Sequence, residues 1–148
     1  MEEVFRTVNV YYTLFKAIKE LCPKNYKGYF STLNKNHERV YSVYFKGGAP
    51  INRRVDDGKY LTRSANVVFN INASKDVNGV LEGFKFCEDV VKTLETTYNY
   101  IYTDPETGNK VIISSVSVLG DINTLGVNTF DIPTFSLNFI INYVEGGN

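Results

Sequence analysis

The side chains best suited to chemistry are a single histidine, His37, and two cysteines, Cys22 and Cys87. His37 lies in the polar stretch 34–38, with no serine or cysteine motif for which it would act as a base. The cysteines form no C-x-x-C pair, and one histidine cannot complete a zinc set with them. We therefore expect two buried free thiols that pack as small hydrophobic groups in a reducing compartment.

Two pairs of adjacent carboxylates and one pair of glycines are the remaining candidates for chemistry. Glu88-Asp89 lies in a helical pattern, where sequence neighbours point in different directions, so we expect a solvated face. Asp56-Asp57 matches no calcium-loop spacing, and Gly47-Gly48 belongs to neither of the glycine motifs that bind phosphate. The sequence therefore predicts no catalytic residue, no metal and no cofactor, and we expect a protein that is not an enzyme.

Charged residues of both signs occur in the segment 46–59, which glycine and proline interrupt. A loop of this length is usually functional or disordered. One interpretation is a solvated loop, and the other is an arm whose arginines meet the carboxylates of the next copy in a ring. The residues that would make this contact are Lys46, Arg53, Arg54, Asp56, Asp57 and Lys59.

The overall charge is balanced, because sixteen basic and sixteen acidic residues cancel in a chain of 148. We therefore expect no specific nucleic-acid binding, which draws its affinity from an excess of positive charge. Apolar residues make up 43% of the chain, enough for one globular core. No apolar run approaches the roughly 18–20 residues of a membrane span. Because the chain also starts with acidic rather than basic residues, we expect an intracellular protein with no membrane contact.

Two helices are predicted from apolar residues that recur three and four positions apart. The first covers residues 2–22. The second follows a cap at Ser74 or Asp76, and Gly79 and Gly83 within it are expected to allow close packing on a sheet. The apolar stripe of this second helix is predicted to consist of Val77, Val80, Leu81, Phe84, Cys87, Val91 and Leu94.

Strands are predicted where β-branched and aromatic residues alternate with polar ones. Two of them form a hairpin around the turn-forming residues 104–109, and the stretch 120–133 is expected to be irregular. The order of elements predicts a single α+β domain, residues 1–148, with a mainly antiparallel sheet covered by two long helices. The predicted strands are residues 28–33, 40–45, 63–73, 98–102, 111–119 and 134–143.

The last of these strands has the strictest alternation in the chain. Its apolar face consists of five residues from Phe135 to Tyr143, and its other face carries Asn138 and Asn142 with Ile140 between them. Such a strand is half-buried, and at an exposed edge it would recruit another chain. We therefore predict that Asn138 and Asn142 contact a neighbouring subunit.

Four features together resemble the tail terminator, or tail-completion, proteins of tailed bacteriophages. They are an N-terminal amphipathic helix, a strand ending in a charged Gly-Gly loop, a strand that runs into a long helix, and a late Ser-Leu-Asn-Phe strand. The strand that runs into the long helix reads Arg-Ser-Ala-Asn-Val-Val-Phe-Asn-Ile-Asn-Ala, residues 63–73. The resemblance covers most of the chain and extends to minor capsid and tail-to-head joining proteins and to the collar proteins of phage-tail-like bacteriocins. The four features occupy residues 2–22, 40–59, 63–94 and 135–143.

The resemblance implies a structural protein without catalytic residues that forms a ring, commonly a hexameric one. Such a ring caps the tail tube, stops polymerisation of tube and sheath, and presents a surface to the head. Its partners would be copies of itself, the tail-tube protein, the sheath and the head-side connector. Its location would be the host cytoplasm during assembly and then the neck or collar of the virion or tail-like particle.

Two alternatives remain open at the level of sequence. A head-completion or connector protein would differ from a tail terminator only in the ring that it touches. A ligand-binding or regulatory module without catalytic activity would use the tyrosine and phenylalanine side chains, 14% of the chain, to line a pocket. The helical and alternating spacing of these aromatic residues favours the core over a pocket.

Overall fold

Residues 2–50 and 62–146 are described by the computed structural model, in which two helices and a mixed β-sheet form one α+β domain. The helices are α1 (Glu2–Leu21) and α2 (Gly79–Glu95). The strands within these residues are β1 (Lys27–Phe30), β2 (Val40–Pro50), β3 (Thr62–Asn72), β4 (Tyr98–Thr103), β5 (Lys110–Val118), β6 (Asn123–Val127) and β7 (Pro133–Gly146).

Strand β7 is the centre of the sheet. The strand order is β1-β2-β3-β7-β5-β4, and β6 pairs with the first residues of β7, beyond the end of β5. Strands β1 and β2 run parallel, and the other pairings among the described residues are antiparallel. The sheet is therefore mixed, because the chain returns from β1 to β2 through a connection that preserves the strand direction.

The alternation along β7 does place one face of the strand in the core. Leu137 lies opposite Phe69 of β3, and Phe139 lies opposite Val67. The rings of Phe69 and Phe139 meet edge to face with centroids 5.3 Å apart. Burial of large side chains such as these is the main term that stabilises a fold. All five predicted core residues of β7 are buried, namely Phe135, Leu137, Phe139, Ile141 and Tyr143.

Both helices contribute to the same hydrophobic core as this face of the sheet. Helix α1 contributes Leu14 and Ile18, which are fully buried. Helix α2 is anchored by Phe86, whose ring stacks on Tyr26 at a centroid distance of 4.0 Å. Helices of 20 and 17 residues thus lie against the sheet on the side of its core residues.

Helix α2 begins later than the sequence predicts, and its buried stripe is different. Ser74 accepts a hydrogen bond from the Asp76 amide in the preceding turn, and Asn78 at the N-cap makes no side-chain capping bond. Val77 precedes the helix and is fully exposed, and Leu81 is 70% exposed, so the predicted stripe is wrong at its start. The residues that are buried are Gly79, Gly83, Phe86, Cys87, Val90 and Leu94.

A polar network ties the start of β2 to the first turn of α2. Arg39 donates hydrogen bonds to Glu82 at 3.1 Å and to Asp76 at 3.0 Å, and both contacts are ion pairs. The hydroxyl of Tyr26 donates to Glu82 at 3.1 Å. Burial and the Glu82 carboxylate raise the pKa of Tyr26, so its hydroxyl stays protonated at neutral pH.

The structure corrects two predicted segments, the irregular stretch 120–133 and the loop 46–59, and confirms the predicted hairpin around residues 104–109. The stretch 120–133, predicted to be irregular, contains β6, which pairs with β7 through a bulge between Thr124 and Gly126. Strand β2 continues to Pro50, so the start of the predicted 46–59 loop is a strand and the rest lies outside the described residues. The hairpin of β4 and β5 is confirmed, with Gly108 at a φ of 76° in its turn.

Candidate functional site

The sheet face opposite the helices is built from the even-numbered residues of β3 and β7. We call it the helix-free face. Across the two strands Ser64 lies opposite Asn142, and Val68 lies opposite Asn138. On these strands the face carries hydroxyl, amide and aliphatic side chains and no charged one. Its central residues, half-exposed except for the exposed Asn66, are Ser64, Asn66, Val68, Asn70, Ser136, Asn138, Ile140 and Asn142.

The structure brings the two asparagines predicted as subunit contacts to this face. The side-chain amide of Asn142 donates a hydrogen bond to the Ser115 hydroxyl of β5 at 3.0 Å. Asn138 is half-exposed, and its backbone carbonyl accepts a hydrogen bond from the Leu119 amide at 2.8 Å. Asn142 is therefore fixed in orientation by the sheet, whereas the Asn138 backbone marks the point where β5 leaves β7.

The charged residues predicted as subunit contacts are described only in part. Lys46 is exposed and lies in the irregularity of β2 between Phe45 and Gly47, where Gly47 has a φ of 105°. This left-handed value suits glycine, so the strand bends beside Lys46. Arg53, Arg54, Asp56, Asp57 and Lys59 lie outside the described residues. Their predicted contact with a neighbouring copy stays a prediction.

A cleft of about 480 Å³ opens at one end of the sheet, and sequence reasoning missed it. We call it the Ser42 cleft. Ser42 of β2 lines it and lies opposite Asn70 of β3. The Ser42 side chain is only 1% exposed, and its hydroxyl has no hydrogen-bond partner among the described residues. The sequence around Ser42 does not indicate a cleft, because the cleft is completed by loops that are distant in the sequence.

The walls of the Ser42 cleft are held in place by asparagine side chains. Asn128 donates a hydrogen bond to the Lys35 carbonyl at 2.9 Å and joins the loop before β7 to the loop before β2. Asn72 donates to the carbonyls of Asn34 and His37 at 3.2 and 3.1 Å. These hydrogen bonds join residues that are distant in the sequence, so the cleft forms only when the whole domain is folded.

Strand β4 carries a further exposed apolar surface. Tyr98 is 75% exposed and Ile101 is 59% exposed, although Tyr102 of the same strand is buried. The six residues of β4 include no charged side chain, which is the usual protection of an edge strand. The hydroxyl of Tyr100 donates to Glu20, so α1 covers one side of this strand. The uncharged run 98–103 is the sequence signal that marks this surface.

The residues first considered for chemistry are separated in the fold. His37 is exposed in the turn before β2, and Cys22 and Cys87 are buried. Burial raises the pKa of each thiol to about 12, so both remain protonated at neutral pH and are poor nucleophiles. Within residues 2–50 and 62–146 no three histidine, cysteine or acidic side chains are grouped as metal ligands. No helix in that part of the chain is long and apolar enough to cross a membrane.

No protein-family model matches this chain, and no curated protein matches it. The helix-free face, the Ser42 cleft and the β4 edge are the candidate sites in the described residues, because each presents side chains that are partly exposed or, for Ser42, unpartnered.

Proposed function

We propose that this protein is a structural subunit of a phage tail or a phage-tail-like particle. It forms a ring, hexameric in this proposal, that caps the tail tube and stops polymerisation of tube and sheath. The ring then provides the surface to which the head-side connector binds. Its partners are copies of itself, the tail-tube protein, the sheath and the connector, and its location is the host cytoplasm and then the neck or collar.

The observation that carries this proposal is the composition of the helix-free face. Protein surfaces that meet only water are rich in Lys, Glu and Asp, and the central part of a protein interface is depleted of these residues. The β3 and β7 residues of this face include no charged side chain, while Val68 and Ile140 lie among its amides and hydroxyls. A surface of this kind is suited to contact with another protein, and amide side chains give such a contact direction through hydrogen bonds.

The arrangement of the fold supports the same proposal. The order of elements in the sequence predicts two long helices that cover one side of a mainly antiparallel sheet, and we propose this description for the present domain. Gly83 of α2 lies close to Phe135 of β7, and in this proposal the other side of β7 makes the subunit contacts. A protein with this role needs no catalytic residue, and we propose that it is not an enzyme.

A head-completion or connector ring would use the same surfaces with a different neighbour. The Ser42 cleft supports a second candidate function, a ligand-binding module without catalytic activity, because the cleft joins an unpartnered hydroxyl to aliphatic walls. The two functions are distinguished by assembly. A ligand-binding module is complete as a monomer, whereas a terminator acts only as a ring.

Native mass spectrometry of the purified chain, alone and with the tail-tube protein, tests the proposal. We expect a closed ring of one size, or a ring that forms when tube protein is added. Negative-stain images should show this ring on one end of each tube and tubes that stop growing. A chain that stays monomeric and leaves tube growth unchanged would contradict the terminator function. Binding to a head connector without any effect on tubes would favour the head-completion function instead.

A further inference from the structure

The Ser42 cleft has the construction of a binding site that the ring does not require. We propose that it binds a small amphiphilic molecule with a neutral or anionic carbonyl head and an aliphatic body. Asn70 belongs to both the cleft and the helix-free face, but Asn138 and Asn142, the proposed subunit contacts, do not line the cleft. It would be present in an assembly subunit and in a ligand-binding module alike.

The floor of the cleft supplies groups that bind a carbonyl oxygen. The Ser42 hydroxyl is buried and lacks a hydrogen-bond partner among the described residues, which is costly for a polar group and rare in folded proteins. Asn70 lies opposite Ser42 in the β2–β3 register and also lines the cleft, half-exposed. Because a hydroxyl and a side-chain amide both donate hydrogen bonds, a carbonyl between them would satisfy the unpartnered hydroxyl.

The walls of the cleft supply the apolar contacts. Leu33 lies on the wall formed by residues 31–35, and Leu125 and Val127 of β6 lie on the opposite wall. Leu125 and Val127 are 59% and 60% exposed, so both present aliphatic surface to water. An aliphatic chain placed between the walls would remove this surface from water.

The charge of the lining selects among ligands. Lys35 lies at the exposed rim, and the cleft is lined by no aspartate or glutamate among the described residues. A cationic head would therefore lose its water without gaining an opposite charge, whereas a carboxylate would gain one from Lys35. We therefore expect neutral and anionic heads to be accepted and an ammonium head to be rejected.

The test uses three probes that differ only in the head group, namely octanamide, octanoate and octylamine in its protonated form. Backbone amide NMR spectra of the ¹⁵N-labelled chain are recorded during titration with each probe. We expect saturable shifts for octanamide and octanoate at the residues of β2, β3 and β6 that line the cleft. Octylamine should cause no saturable shift there. Equal binding of the three probes, or shifts confined to other surfaces, would overturn the proposal.

Substitution of the floor residue gives the second readout. Ser42→Ala removes an unpartnered hydroxyl, so the fold should be retained while octanamide binding weakens by about tenfold, the effect of losing one hydrogen bond. Ser117→Ala, which changes an exposed serine of β5 outside the cleft, is the matched control and should bind as the unsubstituted chain does. Unchanged octanamide affinity in the Ser42 variant would also overturn the proposal. Ring formation in these samples is judged separately by native mass spectrometry, so failure of the site and failure of the ring remain distinguishable.

Discussion

Gly83 of α2 lies directly against the ring of Phe135 in β7, and the contact leaves no room for a methyl group. A Cβ at position 83 would approach Cε1 of Phe135 to 2.2 Å and the Cβ of Ala73 to 2.9 Å. Both neighbours are buried, so neither can move freely out of the way. The closeness of helix and sheet in this domain therefore depends on the absence of a side chain at one residue.

Gly83→Ala should destabilise the domain. Alanine favours the helix by about 1 kcal/mol over glycine, but overpacking against buried groups typically costs about 1–3 kcal/mol. Because the added Cβ would come within 2.2 Å of Phe135, we expect an overpacking cost of about 2–3 kcal/mol and hence a net loss of about 1–2 kcal/mol in the free energy of unfolding, measured by urea denaturation. Glu88→Ala changes an exposed residue of the same helix and is the control. A Gly83→Ala variant as stable as the unsubstituted chain would show that α2 can move away from the sheet without loss.

The same contact explains why the buried stripe of α2 is difficult to predict. Sequence patterns score apolar side chains, and they therefore select Val80 and Leu81, which are 47% and 70% exposed. The helix instead turns Gly79 and Gly83 inward, because its distance from β7 is set by Phe135. Glycine carries no hydrophobic signal, so the sequence pattern does not assign it to a buried stripe. The presence of two glycines in a helix predicted only that the helix packs closely on a sheet.

The β-strands show where a pattern is sufficient. Strand β7 was predicted correctly because it is central in the sheet and half-buried along most of its length, so alternation is complete. Strand β6 was missed because all five of its residues are exposed and Gly126 interrupts it with a φ of 80°. Its pairing with β7 is a tertiary feature with no local pattern. The Ser42 cleft, which β6 helps to enclose, could not be predicted for the same reason.

Asp104 should make the stability of the domain depend on pH. The backbone amide of Glu106 and the ammonium of Lys16, at 2.9 and 3.1 Å, hold the pKa of this carboxyl below its ordinary value. Because the pKa is lower in the folded state, the stabilisation is complete above the unfolded value of about 4 and is lost as the pH falls through the folded pKa. Asp104→Asn should therefore unfold more easily at pH 7 and show a weaker decline toward pH 2, measured as the free energy of unfolding across that range.

Asp121→Asn is the control for this effect, since Asp121 is an exposed carboxylate in the turn before β6. It should keep the pH dependence of the unsubstituted chain. The idea that Asp104 carries an acid-sensitive part of the stability would be wrong if Asp104→Asn left both the stability at pH 7 and its slope with pH unchanged.

The two cysteines should be unreactive in the folded protein. Cys22 and Cys87 are buried, and burial raises the pKa of each to about 12, so little thiolate exists at pH 8. We expect a thiol-specific disulfide reagent at pH 8 to label both cysteines slowly in buffer and rapidly in denaturing urea. Rapid labelling of either cysteine in buffer would mean that the structure around it opens readily and would weaken the structural role given to these thiols.

Charge reversal in the 46–59 segment tests the predicted arm. If arginines of one copy meet carboxylates of the next, Arg53→Glu together with Arg54→Glu should shift native-mass profiles toward smaller species. Combining these changes with Asp56→Arg and Asp57→Arg should restore the ring, because the two signs are then exchanged rather than lost. If neither set of substitutions changes the native-mass profile, the segment is a solvated loop.

Substitutions on the two faces of β7 should separate assembly from folding. Phe139 is fully buried, so Phe139→Asp places a carboxylate in the core and should abolish folding. Asn138 is half-exposed on the helix-free face, so Asn138→Lys should leave the far-ultraviolet circular dichroism spectrum and the thermal unfolding transition unchanged while lowering the ring fraction in native mass spectra. Asn142→Lys should lower the ring fraction as well, and it should also cause a small loss of stability because the hydrogen bond to Ser115 is removed.

The control is Glu95→Lys, which adds a lysine at an exposed end of α2 and should assemble normally. An added charge is costly only where a partner removes it from water. If Asn138→Lys and Asn142→Lys both assemble as the control does, the helix-free face is not a subunit contact. The alternation of β7 would then serve the fold alone, and the ring would have to be built from the β4 edge or the 46–59 segment.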